Sequence, residues 1–78
     1  MFYSTLSEAF QATELKAKID YKLEVKMPMV FGGISYNEKK HFCIDPSNRV
    51  MRNDRTRRWH VTVLRDGRGL YEIIDYYA

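Results

Sequence analysis

Apolar and polar residues alternate along the last third of this 78-residue chain, in two runs rich in β-branched and aromatic side chains. The runs, residues 59–64 and 70–77, flank the tetrapeptide Asp66-Gly67-Arg68-Gly69. Its two glycines supply the positive φ angles that tight turns need. The pattern predicts a C-terminal β-hairpin with Trp59 in the core.

The same alternation assigns the faces of this hairpin. With a two- or a four-residue loop, one face carries Trp59, Val61, Val63, Leu70, Ile74 and Tyr76, and the other carries His60, Thr62, Leu64, Tyr71, Ile73 and Tyr77. A three-residue loop would exchange the faces of the second strand, so the pattern leaves the register open.

Helical spacing of apolar residues near the N-terminus predicts a short helix over residues 4–12, with Ser4 or Ser7 as its cap. Its apolar stripe consists of Phe2, Leu6, Ala9, Phe10, Thr13 and Ala17. From residue 15 to residue 27 the pattern changes to strict alternation, which predicts a strand with one charged face. Glu14 and Lys18, four residues apart, favour a longer helix instead. The strand therefore starts anywhere from residue 15 to residue 20, and residues 21–27 are its firmest part.

Turn-forming residues divide the middle of the chain. Gly32-Gly33 marks a turn, residues 39–45 read as a strand, Asp45-Pro46-Ser47-Asn48 has the residue order of a type I turn, and residues 49–56 read as a loop. The whole chain is predicted to be one α+β domain. A short N-terminal helix packs on a twisted, mainly antiparallel sheet of four or five strands that ends in the C-terminal hairpin, and the pattern leaves open whether the sheet curls toward a small barrel.

Basic residues are segregated by type. All six lysines lie at or before Lys40, and all seven arginines lie at or after Arg49. Residues 49–68 hold the seven arginines and only two acids, a net charge of +5, whereas the other 58 residues sum to −2. The basic character of the chain therefore belongs to one segment.

Arginine in such a cluster suits phosphate, because the planar guanidinium binds phosphate oxygens bidentately and stacks on bases. We therefore expect a small, non-enzymatic module that contacts nucleic acid or a nucleic-acid-processing complex. The predicted contact residues, with two tyrosines as stacking surfaces, are Arg49, Arg52, Arg55, Arg57, Arg58, Arg65, Arg68, Tyr36 and Tyr71. The alternative is a compact protein-binding inhibitor or adaptor of the kind that phages and mobile elements encode, with these arginines on an acidic surface of a host protein. A third reading is a solvated surface whose arginines pair with nearby aspartates.

Candidate chemistry elsewhere is weaker. His41, Cys43 and Asp45 alternate on one strand face and His60 could join them, but the spacing matches no known metal signature. Between His41 and Cys43 the Cβ atoms would lie roughly 7 Å apart, too far for a base to activate the thiol directly. We therefore predict no catalytic residue, no metal and no cofactor, and Cys43 as a buried, unreactive thiol.

A single cysteine indicates a reducing compartment, and we expect a cytoplasmic protein. The chain shows no basic leader and no apolar run of membrane-spanning length, so no membrane partner is expected. The C-terminal strand is apolar on both faces, which makes it a candidate surface for a homodimer.

Overall fold

In the part of the chain that the structure describes, the fold consists of one helix and one four-stranded antiparallel sheet. The computed structural model describes residues 1–27, 33–44 and 58–78. The elements are β1 (Phe2–Tyr3), α1 (Leu6–Tyr21), β2 (Glu38–Ile44), β3 (Trp59–Arg65) and β4 (Tyr71–Tyr77). The strand order is β1-β4-β3-β2, and every neighbouring pair is antiparallel. The predicted α+β class is therefore confirmed, but the described strands form an open sheet with β1 and β2 at its edges and not a barrel.

α1 begins at a capping box that the sequence contains but the prediction misplaced. The cap is Thr5, not Ser4 or Ser7: Glu8 N donates to Thr5 Oγ1 at 3.1 Å, and Thr5 N donates to Glu8 Oε1 at 3.2 Å. Ser4 Oγ also donates to Glu8 Oε1, at 2.7 Å, and this bond is the main reason that the pKa of Glu8 lies below its ordinary value. Three hydrogen bonds among Ser4, Thr5 and Glu8 thus fix where the helix starts.

α1 is 16 residues long, and Lys22 is its C-terminal cap. The φ of Lys22 is 57°, which is left-handed, and its N–H donates to the carbonyls of the last turn. Residues 13–19 are therefore helix, not strand. The predicted stripe is confirmed for its helical core, since Ala9, Phe10, Thr13 and Ala17 are buried. No helix in the described ranges has the length and apolar character to cross a bilayer.

The prediction of a strand over residues 21–27 is wrong. Tyr21 belongs to α1, and residues 22–27 form no regular element, although Leu23, Val25 and Met27 are buried and the residues between them are exposed. This segment packs its apolar side chains into the core without a strand partner among the described residues, and Met27 N donates to Glu14 Oε2 of the helix at 2.8 Å. Alternation reports which side chains are buried, and it does not report where the backbone hydrogen bonds go.

The core lies between α1 and one face of the sheet. Trp59, Val61 and Val63 of β3 are completely buried, which confirms the prediction for Trp59. The Phe10 ring of the helix packs edge-to-face on the Phe42 ring of β2, with the ring centroids 5.2 Å apart. Tyr21 packs on Trp59 in the same way, with the centroids 5.3 Å apart. At the far end of α1, Tyr76 Oη donates to Asp20 Oδ2 at 3.2 Å, and this bond raises the pKa of Tyr76.

A β-bulge corrects the predicted faces of β4. Tyr77 pairs with His60 and Tyr76 with Val61, as the alternation requires, but the register shifts between Thr62 and Val63. Beyond the shift, Ile73 pairs with Val63 and Tyr71 with Arg65, so both lie on the core face and not with His60 as predicted. One extra residue in β4 thus reverses the facing of half a strand.

The remaining predictions for the middle of the chain have mixed outcomes. β2 covers residues 38–44, close to the predicted strand, and Gly33 has a φ of +65° where a turn was expected. Three predictions fall outside the described residues. They concern Gly32, the predicted turn at residues 45–48 and the predicted loop at residues 49–56.

Candidate functional site

Opposite α1, the sheet presents a second face on which no described element packs. Because neighbouring side chains on a strand point to opposite sides, this face is set by the strand register. Its central members, from β2, β3 and the end of β4, are Lys39, His41, Cys43, His60, Thr62, Leu64, Asp75 and Tyr77. We call this surface the open face.

Three rings stand in a row across the open face. The rings of Tyr77 and His60 are 4.5 Å apart between centroids and nearly parallel, at 8°. The rings of His60 and His41 are 5.4 Å apart at 27°. The ring row, Tyr77-His60-His41, therefore crosses three strands, from β4 through β3 to β2, and both of its terminal residues are exposed.

A chain of polar contacts runs beside the ring row. His41 Nδ1 lies 3.1 Å from Thr62 Oγ1, and His41 Nε2 lies 3.2 Å from His60 Nδ1. His60 Nε2 lies 3.9 Å from Cys43 Sγ, within reach of a weak sulfur hydrogen bond. Each nitrogen of the two imidazoles thus has a hydrogen-bond partner, and these contacts fix the orientation of both rings.

The prediction that Cys43 is buried is wrong. Cys43 lies on the open face, where its side chain is exposed, because β2 turns Phe42 and not Cys43 toward the helix. The histidine nearest the thiol is also not the one that the spacing suggested: His60, directly across the strand pair, contacts the sulfur.

These side chains do not converge on a metal position. Among the described residues no group of three or more His, Cys, Asp or Glu side chains has an arrangement that could hold a metal ion. The reason lies in His60, which directs Nδ1 toward His41 and Nε2 toward Cys43, on opposite sides of its ring. Asp45, the candidate ligand that follows Cys43 on the same strand face, lies outside the described residues.

Arg65 lies against the rings of two other predicted contact residues, Tyr36, which is 59% exposed, and Tyr71. The Arg65 guanidinium lies 4.2 Å from the Tyr36 ring centroid and 5.3 Å from that of Tyr71. Arg65 Nη1 donates to the Ile34 carbonyl at 3.0 Å, and Nε donates to the Gly69 carbonyl at 3.4 Å. Arg65 is therefore engaged within the fold, and the buried Tyr71 ring cannot serve as a stacking surface for a ligand.

Arg68 lies at the tip of the connection between β3 and β4. Its guanidinium donates to Asp66 Oδ2 from Nη2 at 2.7 Å and from Nε at 3.1 Å, and it covers the Phe2 ring at 4.8 Å. Asp66 Oδ1 accepts the backbone N–H of Arg68 and of Leu70, so one carboxylate organises the whole connection. These bonds, the Arg68 side chain first, hold the pKa of Asp66 below its ordinary value.

Only one of the other predicted arginines falls within the described ranges. Arg58 is exposed and directly precedes β3. Arg49, Arg52, Arg55 and Arg57 lie outside the described residues. The stretch that carries them joins β2 to β3 at the end where Ile44 pairs with Trp59, next to Cys43 and His60. The arginine-rich stretch is therefore anchored at the end of the sheet where the ring row begins.

Sequence reasoning did not place His41, Thr62 and Tyr77 in a common site. Each residue does lie at an alternate position of a run that the pattern identified, so the signal was a shared strand parity. The sequence pattern did not give the register in which β2 pairs with β3. Comparison of the chain with protein-family models, with curated proteins and with solved structures finds no match to any of them.

Proposed function

We propose that this protein is a small, non-enzymatic module that binds nucleic acid, alone or within a nucleic-acid-processing complex. The observation that carries this proposal is the location of the charge. Residues 49–58, which form most of the connection between β2 and β3, hold five of the seven arginines and one acid, and that connection joins the sheet beside Cys43 and His60 of the open face. Guanidinium groups next to exposed rings suit a ligand that has both phosphates and bases.

The contacts within the fold narrow the set of arginines that this function uses. Arg65 donates to two backbone carbonyls, and Arg68 pairs with Asp66, so neither presents its guanidinium freely to a phosphate. We therefore assign the phosphate contacts to the arginines of residues 49–58. Binding by them is expected to depend strongly on salt and weakly on sequence, because phosphate contacts release counterions and read no bases.

The test is a titration of fluorescently labelled single-stranded and duplex oligonucleotides at several salt concentrations. Each phosphate contact contributes a slope of about −0.9 in log K against log salt on duplex DNA and about −0.7 on single strands. The double variant Arg57→Ala/Arg58→Ala should therefore flatten the slope by about 1.4 to 1.8 units.

A matched control removes the same charge elsewhere. Lys18 and Lys26 are exposed and belong to α1 and the segment after it, on the opposite layer from the open face. Lys18→Ala/Lys26→Ala should leave the slope unchanged within about 0.3 units, since neither lysine belongs to the segment proposed to contact phosphate. Equal flattening by both double variants would mean that only net charge matters and would refute the assignment.

Absence of binding to every oligonucleotide at about 50 mM salt and micromolar protein would refute nucleic-acid binding, since electrostatic affinity is greatest at low salt. The same arginines would then be assigned to an acidic protein surface, as in the inhibitor or adaptor alternative. A pull-down from lysate with and without nuclease separates the two readings, because protein partners that survive nuclease do not depend on nucleic acid.

A further inference from the structure

We infer that the ring row on the open face is a stacking platform for the bases of single-stranded nucleic acid. The inference rests on the proposed function and names its substrate class. It comes from a different observation, the stacking of Tyr77 on His60 and the hydrogen bond that fixes His60 beside His41, and not from the charge of the arginines.

Among the described residues, both ends of the ring row lie on strands without a neighbour at that position. β2, which carries His41, is an edge of the described sheet. β1 pairs with β4 only at Tyr71 and Glu72, so the end of β4 that carries Tyr77 is also an edge of the described sheet. Tyr77 is 44% exposed and stacks on His60, so the ring face that is turned away from His60 is where a planar base can be added.

The middle of the row is fixed by its neighbours. One face of the His60 ring lies against Tyr77, with the ring centroids 4.5 Å apart, and the two nitrogens of His60 are directed in the plane of the ring toward His41 and Cys43. His60 therefore holds the Tyr77 ring in its orientation. A rigid, pre-stacked platform loses little side-chain entropy when a base joins it, which favours binding.

Single strands fit this arrangement better than duplexes do. Bases in a duplex are covered by their neighbours above and below, whereas unpaired bases can be splayed out onto an aromatic ring.

The test compares two labelled probes of equal length and charge: an oligothymidylate of twelve nucleotides and an abasic strand of twelve. Fluorescence anisotropy gives the dissociation constant of each. Stacking contributes roughly 5- to 150-fold in affinity per base. Tyr77→Ala should therefore raise the dissociation constant for the oligothymidylate by a factor in that range. The affinity for the abasic strand and the salt slope should stay as they are in the wild type.

Matched variants isolate the ring. Tyr77→Phe keeps the stacking surface and should bind oligothymidylate like the wild type. Leu15→Ala removes an exposed apolar side chain from α1, which is on the other layer, and should change neither probe. The fluorescence of Trp59, which is fully buried, verifies that each variant is folded.

A second readout uses Cys43, whose sulfur lies 3.9 Å from the central ring. Saturating oligothymidylate should slow the reaction of Cys43 with an aromatic disulfide reagent several-fold, and the abasic strand should slow it less. Equal affinity of the wild type for both probes, or no effect of Tyr77→Ala on oligothymidylate, would overturn the stacking inference while leaving phosphate binding in place. Failure to bind either probe would overturn both proposals.

Discussion

Replacing Arg65 by methionine distinguishes a structural arginine from a phosphate-binding one. The sequence placed Arg65 among the contact residues, whereas the structure engages it internally. Its Nη1 donates to the carbonyl of Ile34, a residue that is only 2% exposed, at 3.0 Å, and its guanidinium lies 4.2 Å from the Tyr36 ring. Methionine keeps an apolar stem of similar reach and removes only the guanidinium and its bonds.

The expected cost follows from these contacts. A hydrogen bond from a charged donor contributes about 1.5 to 3 kcal/mol, and the Ile34 carbonyl would lose this donor. The exposed cation–π contact with Tyr36 adds about 0.5 to 1 kcal/mol. The 3.4 Å bond from Nε to Gly69 is long and adds little. We therefore expect a loss of about 2 to 4 kcal/mol from a total of about 4 to 12 kcal/mol for a domain of this size.

Urea denaturation followed by Trp59 fluorescence measures this loss. With a slope near 1 kcal/mol per molar urea for so small a domain, the midpoint should fall by about 2 M or more. Arg68→Met is the matched control, because the Arg68 side chain is 63% exposed and its ion pair with Asp66 is on the surface. That variant should lie within about 1 kcal/mol of the wild type.

The salt slope of nucleic-acid binding supplies the second measurement. A structural Arg65 leaves the slope of the Arg65→Met variant unchanged at temperatures where the variant is folded. A variant within about 0.5 kcal/mol of the wild type in stability, with a slope flattened by about one unit, would refute the reasoning and return Arg65 to the binding surface.

Three further predictions concern the core, the open face and the turn. Trp59→Ala should cost about 3 to 5 kcal/mol in chemical denaturation, and a loss under about 1 kcal/mol would contradict its burial. Cys43 should react with an aromatic disulfide reagent nearly as fast in native buffer as in denaturant, since its side chain is exposed; strong native protection would show that the face is covered. The pKa of Asp66 is lowered in the folded protein, so its stabilisation is complete above the unfolded value of about 3.9 and is lost as pH falls through the lower folded value. Asp66→Asn should remove this part of the acid sensitivity, and identical acid-unfolding curves for the two proteins would refute it.

The local pattern of the sequence was sufficient for the features that depend on near neighbours. Ala9, Phe10, Thr13 and Ala17 share one side of any helix built over these residues, and all four are buried. Trp59, Val61 and Val63 share one face of any strand, and all three are completely buried. Such features follow from the periods of 3.6 and 2 residues, which are properties of the backbone and need no knowledge of the rest of the fold.

Tertiary packing decided where the local pattern allowed two answers. Residues 15–19 have both helical charge spacing and strict alternation, and they are helix because α1 continues to the left-handed cap at Lys22. Leu23, Val25 and Met27 alternate as strand residues do, but their side chains enter the core without a strand partner in the described ranges. A pattern of burial is local information, whereas a hydrogen-bond partner is supplied by another part of the chain.

The candidate site depends wholly on tertiary packing. Tyr77 meets His60 because β4 pairs with β3, and the bulge beyond Thr62 leaves that pairing intact while turning Tyr71 to the core. His41 meets His60 from a residue 19 positions away, and the contact exists only in the register that sets Cys43 opposite His60. Residue types and their parity are written in the sequence, but side chains on separate strands become neighbours only when the sheet aligns them, because a shift of one residue would send every ring to the opposite face.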